Sequence, residues 1–334
     1  MTTIPVNTTT FSVQLPSLTL FSDVFRAYAH PVFGLMAFFG SIGVVVGMAR
    51  VGDKNFNRSV RIYYSLLAIT DLVYVDLAIV PSQFLETGIA YITTRLQSYP
   101  ILTVDAHEWS CKLISGIWYA SDTTAGFLLV CLGIERIIAI TWPLRAKTIL
   151  SVRFSVILML CILGVALTID VPQVVLVYTL TPLGCTYDLS LPYAIEYIAL
   201  ETLFPVVYSL LSFSFTAYLI VSLVVSSRQR RHLSKGTNRV SSMEVSNAIT
   251  MVALDVVRIT IFFPYMSVTT FGLILFVING FSSLWIYLIM DIFYNFMIIP
   301  HSVNFWIHFF RSPAFRVAIF GQWCAFGKKV ILSN

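Results

Sequence analysis

Five stretches of this 334-residue chain, 27–49, 154–169, 202–227, 259–290 and 292–310, contain no Asp, Glu, Lys or Arg. About 20 consecutive apolar residues let a helix cross the hydrocarbon of a bilayer. There each backbone polar group must be satisfied within the protein, which a helix does by itself. A soluble alternative would need a polar surface. The chain is 57% hydrophobic and 11% charged, against about 25% charged in an ordinary soluble domain. Segments between charged or turn-forming stretches predict helices over 27–51, 60–84, 111–141, 153–178, 191–226, 247–276 and 282–310. The expected fold is an all-α membrane protein, a seven-transmembrane helix bundle with a short amphipathic eighth helix, and the lipid bilayer is its first partner.

Basic residues set the orientation, because Lys and Arg are retained on the cytoplasmic side. Four fall at 50–61, four at 136–153, five at 228–239 and four from 311 onward. The other face has Arg26, Arg95 and Lys112, and Arg258 lies within a predicted span. This distribution, 17 against 3 of the 21 Lys and Arg, places the N-terminus outside and the C-terminus inside, in a multi-pass protein of the plasma membrane.

Residues 1–26 are then an extracellular segment, 27–310 the seven-transmembrane domain, and 311–334 an amphipathic helix with a cytoplasmic tail. Asn7, in Asn7-Thr8-Thr9, is a glycosylation acceptor on the correct side, whereas Asn57-Arg58-Ser59 is expected to be cytoplasmic and unused. No basic n-region precedes a short apolar core, so no cleaved signal peptide is expected. After the last span, 311–323 mixes Arg311 and Arg316 with Phe315, Ile319, Phe320 and Trp323, suiting a helix along the inner surface. Cys324 follows as a palmitoylation candidate.

The five cysteines show no CxxC pair, which argues against a zinc site or a dense disulfide scaffold. No nucleophile–base pairing, Gly-rich phosphate loop or HExxH is present, so neither an enzyme nor a nucleic-acid-binding protein is expected.

Near the end of the third span the chain reads Glu135-Arg136-Ile137, with Pro143-Leu144 following and Cys111 twenty-five residues before Arg136. Leu67-Ala68-Ile69-Thr70-Asp71 lies in the second span, Pro205 in the fifth, Phe262-Phe263-Pro264-Tyr265 in the sixth and Asn304-Phe305-Trp306-Ile307-His308 in the seventh. These motifs at these separations resemble the rhodopsin-like G-protein-coupled receptors over nearly the whole chain. The Asn-Phe ending and Pro143-Leu144-Arg145-Ala146-Lys147 are similar to invertebrate peptide-receptor-like orphans. Departures are Val44 for the family's first-span Asn, Phe305 for its proline, His308 for its tyrosine, and a fourth span without Trp.

The resemblance implies a disulfide between Cys111 and Cys185, with two free buried thiols as the alternative. It implies that Glu135 and Arg136 receive a heterotrimeric G protein, and that Glu244, twenty residues before Pro264, pairs with Arg136 in the inactive state. The bland reading of Glu244 is a solvated loop charge. Asp71, Phe262, Pro264, Asn304 and His308 form the implied activation core. Asp71 is a candidate sodium ligand, or else a hydrogen-bonded structural acid, since Ala125 and Val44 have lost family polar groups; no other cofactor is expected.

Asp76, Asp122, Glu196, Glu201 and Asp291, interleaved with Trp118, Tyr119, Phe262 and Tyr265, make an acidic and aromatic outer half that favours a cation. The implied ligand contacts are Trp118, Asp122, Glu201, Tyr265 and Asp291, for an extracellular basic or amidated peptide or a small cationic ligand. Arg258 shares a helix face with Asp255, three residues earlier, and is expected either to pair with it or to move between partners. An opsin is excluded because the seventh span has no lysine. A chemosensory receptor for small molecules is the alternative within the family, and a transporter or channel the alternative outside it, though no internal symmetry supports the latter.

Overall fold

The computed structural model describes residues 15–51, 57–94, 107–142, 145–146, 150–181, 184–187, 194–233, 239–279, 284–312 and 315–321. Six helices among them are long and apolar enough to cross a membrane. Helix 1 crosses within Thr19–Arg50, helix 2 within Arg58–Thr93, helix 3 within Glu108–Thr141 and helix 4 within Val152–Val177. Helix 5, Ala194–Leu233, crosses within Leu203–Ser222, and helix 6, Arg239–Asn279, within Ile249–Gly272.

Helix 7 completes the seven as three consecutive pieces, Leu284–Phe296, Ile298–Ser302 and Asn304–Arg311. Pro300 explains the first break: proline has no N–H to donate and its ring clashes with the carbonyl four residues back, at Phe296. The chain duly turns at Met297, whose N–H bonds back three residues to Tyr294 O at 3.0 Å.

Helix 1 begins earlier than the expected residue 27. Leu15–Val24 is already helical, followed by one wide turn, Phe25–Ala29, and then His30–Arg50. Ser22 and Asp23 are buried there, and Asn295 of helix 7 donates to Ser22 Oγ at 3.1 Å. Neighbouring helices shelter polar residues that a lipid-facing start would exclude.

Helix 1 approaches helix 7 along small residues, as membrane helices do when their backbones pack closely. A Cβ on Gly40 or Gly43 would sit 2.9 or 2.6 Å from Phe305, and one on Gly47 would strike the Phe315 ring. Phe305, standing where the family has proline, therefore fills a groove that glycine opens.

Asn57 is the N-cap of helix 2, its side chain accepting from Ser59 N at 3.4 Å. Between helices 4 and 5 the all-α expectation gains a short hairpin, β1 (Tyr178–Thr181) paired antiparallel with β2 (Gly184–Tyr187), which sets Cys185 opposite Leu180. Beyond helix 7, residues 315–321 are helical. Ser312 caps this segment through Phe315 N at 3.2 Å, and Phe315 is fully buried while Val317 and Phe320 are exposed. Asn7, Pro143, Leu144 and Cys324 lie outside the described residues.

Candidate functional site

Cys111 and Cys185 are joined, with Cα atoms 5.5 Å apart, so the hairpin is fastened to the first turn of helix 3. His107 and Ser110 cap that turn reciprocally. Below the bridge, aromatic rings gather. Trp118 stacks on Tyr119 at 4.9 Å and meets Tyr294 edge-on at 4.8 Å, Tyr294 lies 6.4 Å from Tyr265, and the Tyr119 and Tyr178 hydroxyls are 2.6 Å apart. Of the residues expected to meet a ligand, Trp118 and Tyr265 thus share one aromatic cluster.

Asp291 is paired with Arg26 at the start of helix 1. The side chains of Glu196 and Glu201 lie outside the described residues, although both positions are helical. Asp76 is half-buried, with Oδ2 free of any hydrogen-bond partner among the described residues.

Deeper, polar and charged groups from five helices meet. Arg258 of helix 6 donates to Asp122 Oδ1 at 2.8 Å and to Asp122 O at 3.3 Å. Tyr208 of helix 5 donates to the other carboxylate oxygen at 2.8 Å. Gly126, one helical turn below Asp122, makes this reach possible, because a Cβ there would lie 2.8 Å from the Tyr208 ring. The Arg258 guanidinium also lies over the Phe262 ring at 4.8 Å, a favourable placement for a cation on an aromatic face.

On the far side, His301 of helix 7 presents Nε2 3.6 Å from Asp122 Oδ1 and Nδ1 2.7 Å from Asp71 Oδ1. Asn304 donates to Asp71 Oδ2 at 2.9 Å, and Tyr74 stacks on the His301 ring at 4.0 Å. A continuous polar chain therefore runs from helix 2 through helices 7 and 3 to helices 6 and 5. Buried charge is tolerated when it is paired and hydrogen-bonded.

The pairing of Arg258 differs from expectation. Arg258 pairs with Asp122 rather than with Asp255, whose Oδ2 accepts instead from Thr216 at 2.7 Å. Asp122 has both oxygens engaged inside the protein. The surroundings of Asp71 do not fit a sodium ion. Hard cations need several oxygen ligands, whereas the two Asp71 oxygens face nitrogens of His301 and Asn304, the Ser302 hydroxyl donates to Ile298 O at 2.8 Å, and Asn304 Oδ1 is the one oxygen of these side chains without a partner among the described residues.

His301 and Tyr208 were not legible as partners. Counting only Asp, Glu, Lys and Arg leaves His301 inside an uncharged run, and Tyr208 reads as one more aromatic in helix 5. The signal available was His301 itself, an ionisable side chain three residues before Asn304.

At the opposite end of helix 3 from the disulfide, Glu135 and Arg136 are 3% and 4% exposed. Both Glu135 carboxylate oxygens, and Nε and one terminal nitrogen of Arg136, have no hydrogen-bond partner among the described residues. The Glu244 side chain lies outside the described residues. His308 is fully buried, edge-on to Tyr64 at 4.3 Å and 5.6 Å from Phe315, with neither ring nitrogen hydrogen-bonded among the described residues. Pro264 lies within helix 6, and Phe262 is buried against Tyr208 at 6.1 Å.

The family model described as 7 transmembrane receptor (rhodopsin family) matches residues 42–307, from helix 1 to helix 7. No curated protein matches the chain.

Proposed function

The chain belongs to the rhodopsin family of seven-transmembrane receptors, and on that premise we propose that it is a plasma-membrane receptor with its N-terminus outside the cell, which binds a basic or amidated peptide and activates a heterotrimeric G protein. The observation that carries the signalling half is Arg136, buried at the foot of helix 3 with two guanidinium nitrogens unclaimed by the described residues. A charge at the membrane edge costs about 2.5 kcal/mol or more unless paired, so a partner able to reach it from the cytosol gains by doing so. Glu244 is the proposed internal competitor for Arg136 in the resting state.

Orientation is supported by the 17-to-3 distribution of basic residues and by the disulfide, a bond that persists in oxidising compartments. The ligand reading is supported by Asp291, which already holds a guanidinium, that of Arg26. An arginine-bearing peptide presents the same group. Trp118 and Tyr265 supply aromatic faces for a cation, and Glu201 and Asp122 are further proposed contacts, the latter only if Arg258 yields its place. A small organic cation is the second reading, supported by the compactness of the Trp118–Tyr294–Tyr265 cluster.

The experiment is a second-messenger screen of cells expressing the chain against amidated basic peptides and, separately, biogenic-type amines. Peptide responses that vanish with Asp291→Asn and with Arg136→Ala support the proposal. A response to amines alone replaces the peptide reading with the small-cation one. An epitope at residue 1 that antibodies reach only after permeabilisation overturns the receptor reading altogether.

A further inference from the structure

Arg258 has two acids within reach and uses one. Asp122, across the bundle on helix 3, holds it at 2.8 Å. Asp255 lies three residues earlier on the helix of Arg258 itself, on the same face, and is fully buried. Its Oδ2 accepts from Thr216, while its Oδ1 has no partner among the described residues. A buried carboxylate oxygen without a donor is a standing cost, and Arg258 is the nearest cation in sequence able to relieve it.

The acid that Arg258 would leave is not abandoned. Asp122 keeps the Tyr208 hydroxyl at 2.8 Å, and His301 Nε2, without a hydrogen-bond partner among the described residues, lies 3.6 Å from Oδ1. Both arrangements therefore leave every charge with a neighbour, the condition under which two packings of one core lie close in free energy. The Phe262 ring, one turn along helix 6 on the side away from Asp255, lies under the guanidinium at 4.8 Å in the Asp122-bound position.

We propose that Arg258 is a two-position switch, held by Asp122 while helices 3 and 6 are together and passed to Asp255 when they part. The handover removes the cross-bundle ion pair without leaving a bare charge, so separation of the helices meets no large electrostatic barrier. This rests on the receptor reading for its physiological meaning, though not for its geometry.

The test uses the full chain purified in nanodiscs, with Cys131, Cys161 and Cys324 replaced by Ala and spin labels at Thr141 and Ile249, near the Arg136 ends of helices 3 and 6. Asp122→Asn is expected to raise the long-distance population of the label pair at least fivefold. Asp122→Asn combined with Asp255→Asn is expected to return most of that population to the short distance, because the second position is gone. Arg258→Lys, which keeps the charge but reaches Asp122 poorly, is expected to behave as Asp122→Asn does, and to be reversed by Asp255→Asn in the same way. It serves if Asp122→Asn does not fold.

If Asp255→Asn leaves the long-distance population of both variants unchanged, the switch is overturned. Basal second-messenger output measured on the same variants separates the two readings. Distance shifts that follow this pattern without any signalling uphold the switch and sink the receptor reading. Signalling that responds to Arg136→Ala while the distances ignore Asp255 does the reverse.

Discussion

The centre of the bundle and the foot of helix 3 both bury charge, and they satisfy it to different degrees. At the centre, Asp71, His301, Asp122 and Arg258 are connected to one another across helices 2, 7, 3 and 6, with distances of 2.7–3.6 Å. At the foot, Glu135 and Arg136 are as deeply buried, yet four polar atoms of these two residues have no hydrogen-bond partner among the described residues, against two, Arg258 Nε and His301 Nε2, among the four central groups. A satisfied buried pair defends the arrangement that satisfies it, because removing either partner strands the other. An unsatisfied group instead lowers its free energy by meeting something new. The first region exchanges partners within the protein, and the second is open to a partner from outside it.

Thermal unfolding of purified variants should show this contrast, beginning with its largest effect. Arg258→Ala strands Asp122 in the core and is expected to cost about 3–5 kcal/mol. Arg258→Met with Asp122→Leu is expected to recover most of that loss, which a simple packing defect would not allow. Cys185→Ser releases the hairpin from helix 3, closing no loop across the 74-residue separation, and is expected to cost about 2–5 kcal/mol with no change at the foot.

Gly43→Leu drives carbon into the Phe305 ring and is expected to cost about 1–3 kcal/mol by overpacking. Glu135→Gln is the smallest and has the opposite sign. It removes a buried charge whose two oxygens have no hydrogen-bond partner among the described residues and is expected to stabilise the protein by about 1 kcal/mol, since a neutral amide costs less to bury than a carboxylate. A loss of stability there comparable to Arg258→Ala would erase the distinction between the two regions.

Much of the architecture was legible because membrane insertion is written in composition. Helices 3 and 4 fall within three residues of their expected limits, since charged or capping residues end them: His107 before Glu108 and Ser151, which caps Phe154 N at 3.3 Å, before Val152. Helix 1 was read too short because Asp23 and Arg26 look like solvent-facing charge, and only the packing of helix 7 reveals that one is buried and the other is paired with Asp291.

The disulfide followed from the family resemblance, and the structure contains it. The partner of Arg258 was hidden by distance along the chain. Asp255, three residues away, is visible to any local rule, whereas Asp122 is 136 residues off and reaches Arg258 only because helices 3 and 6 cross at that height. The hairpin was missed because four-residue strands carry too few positions for an alternating pattern to show.

The break that Pro300 imposes at Met297 divides the loyalties of helix 7. Above it, Asp291 and Asn295 are fastened to Arg26 and Ser22 of helix 1. Below it, His301 and Asn304 are fastened to Asp71 of helix 2. The joint thus works as a fulcrum between two anchored arms, and tilting the upper arm against helix 1 bears first on the residue next to that proline, His301, at the middle of the charge chain.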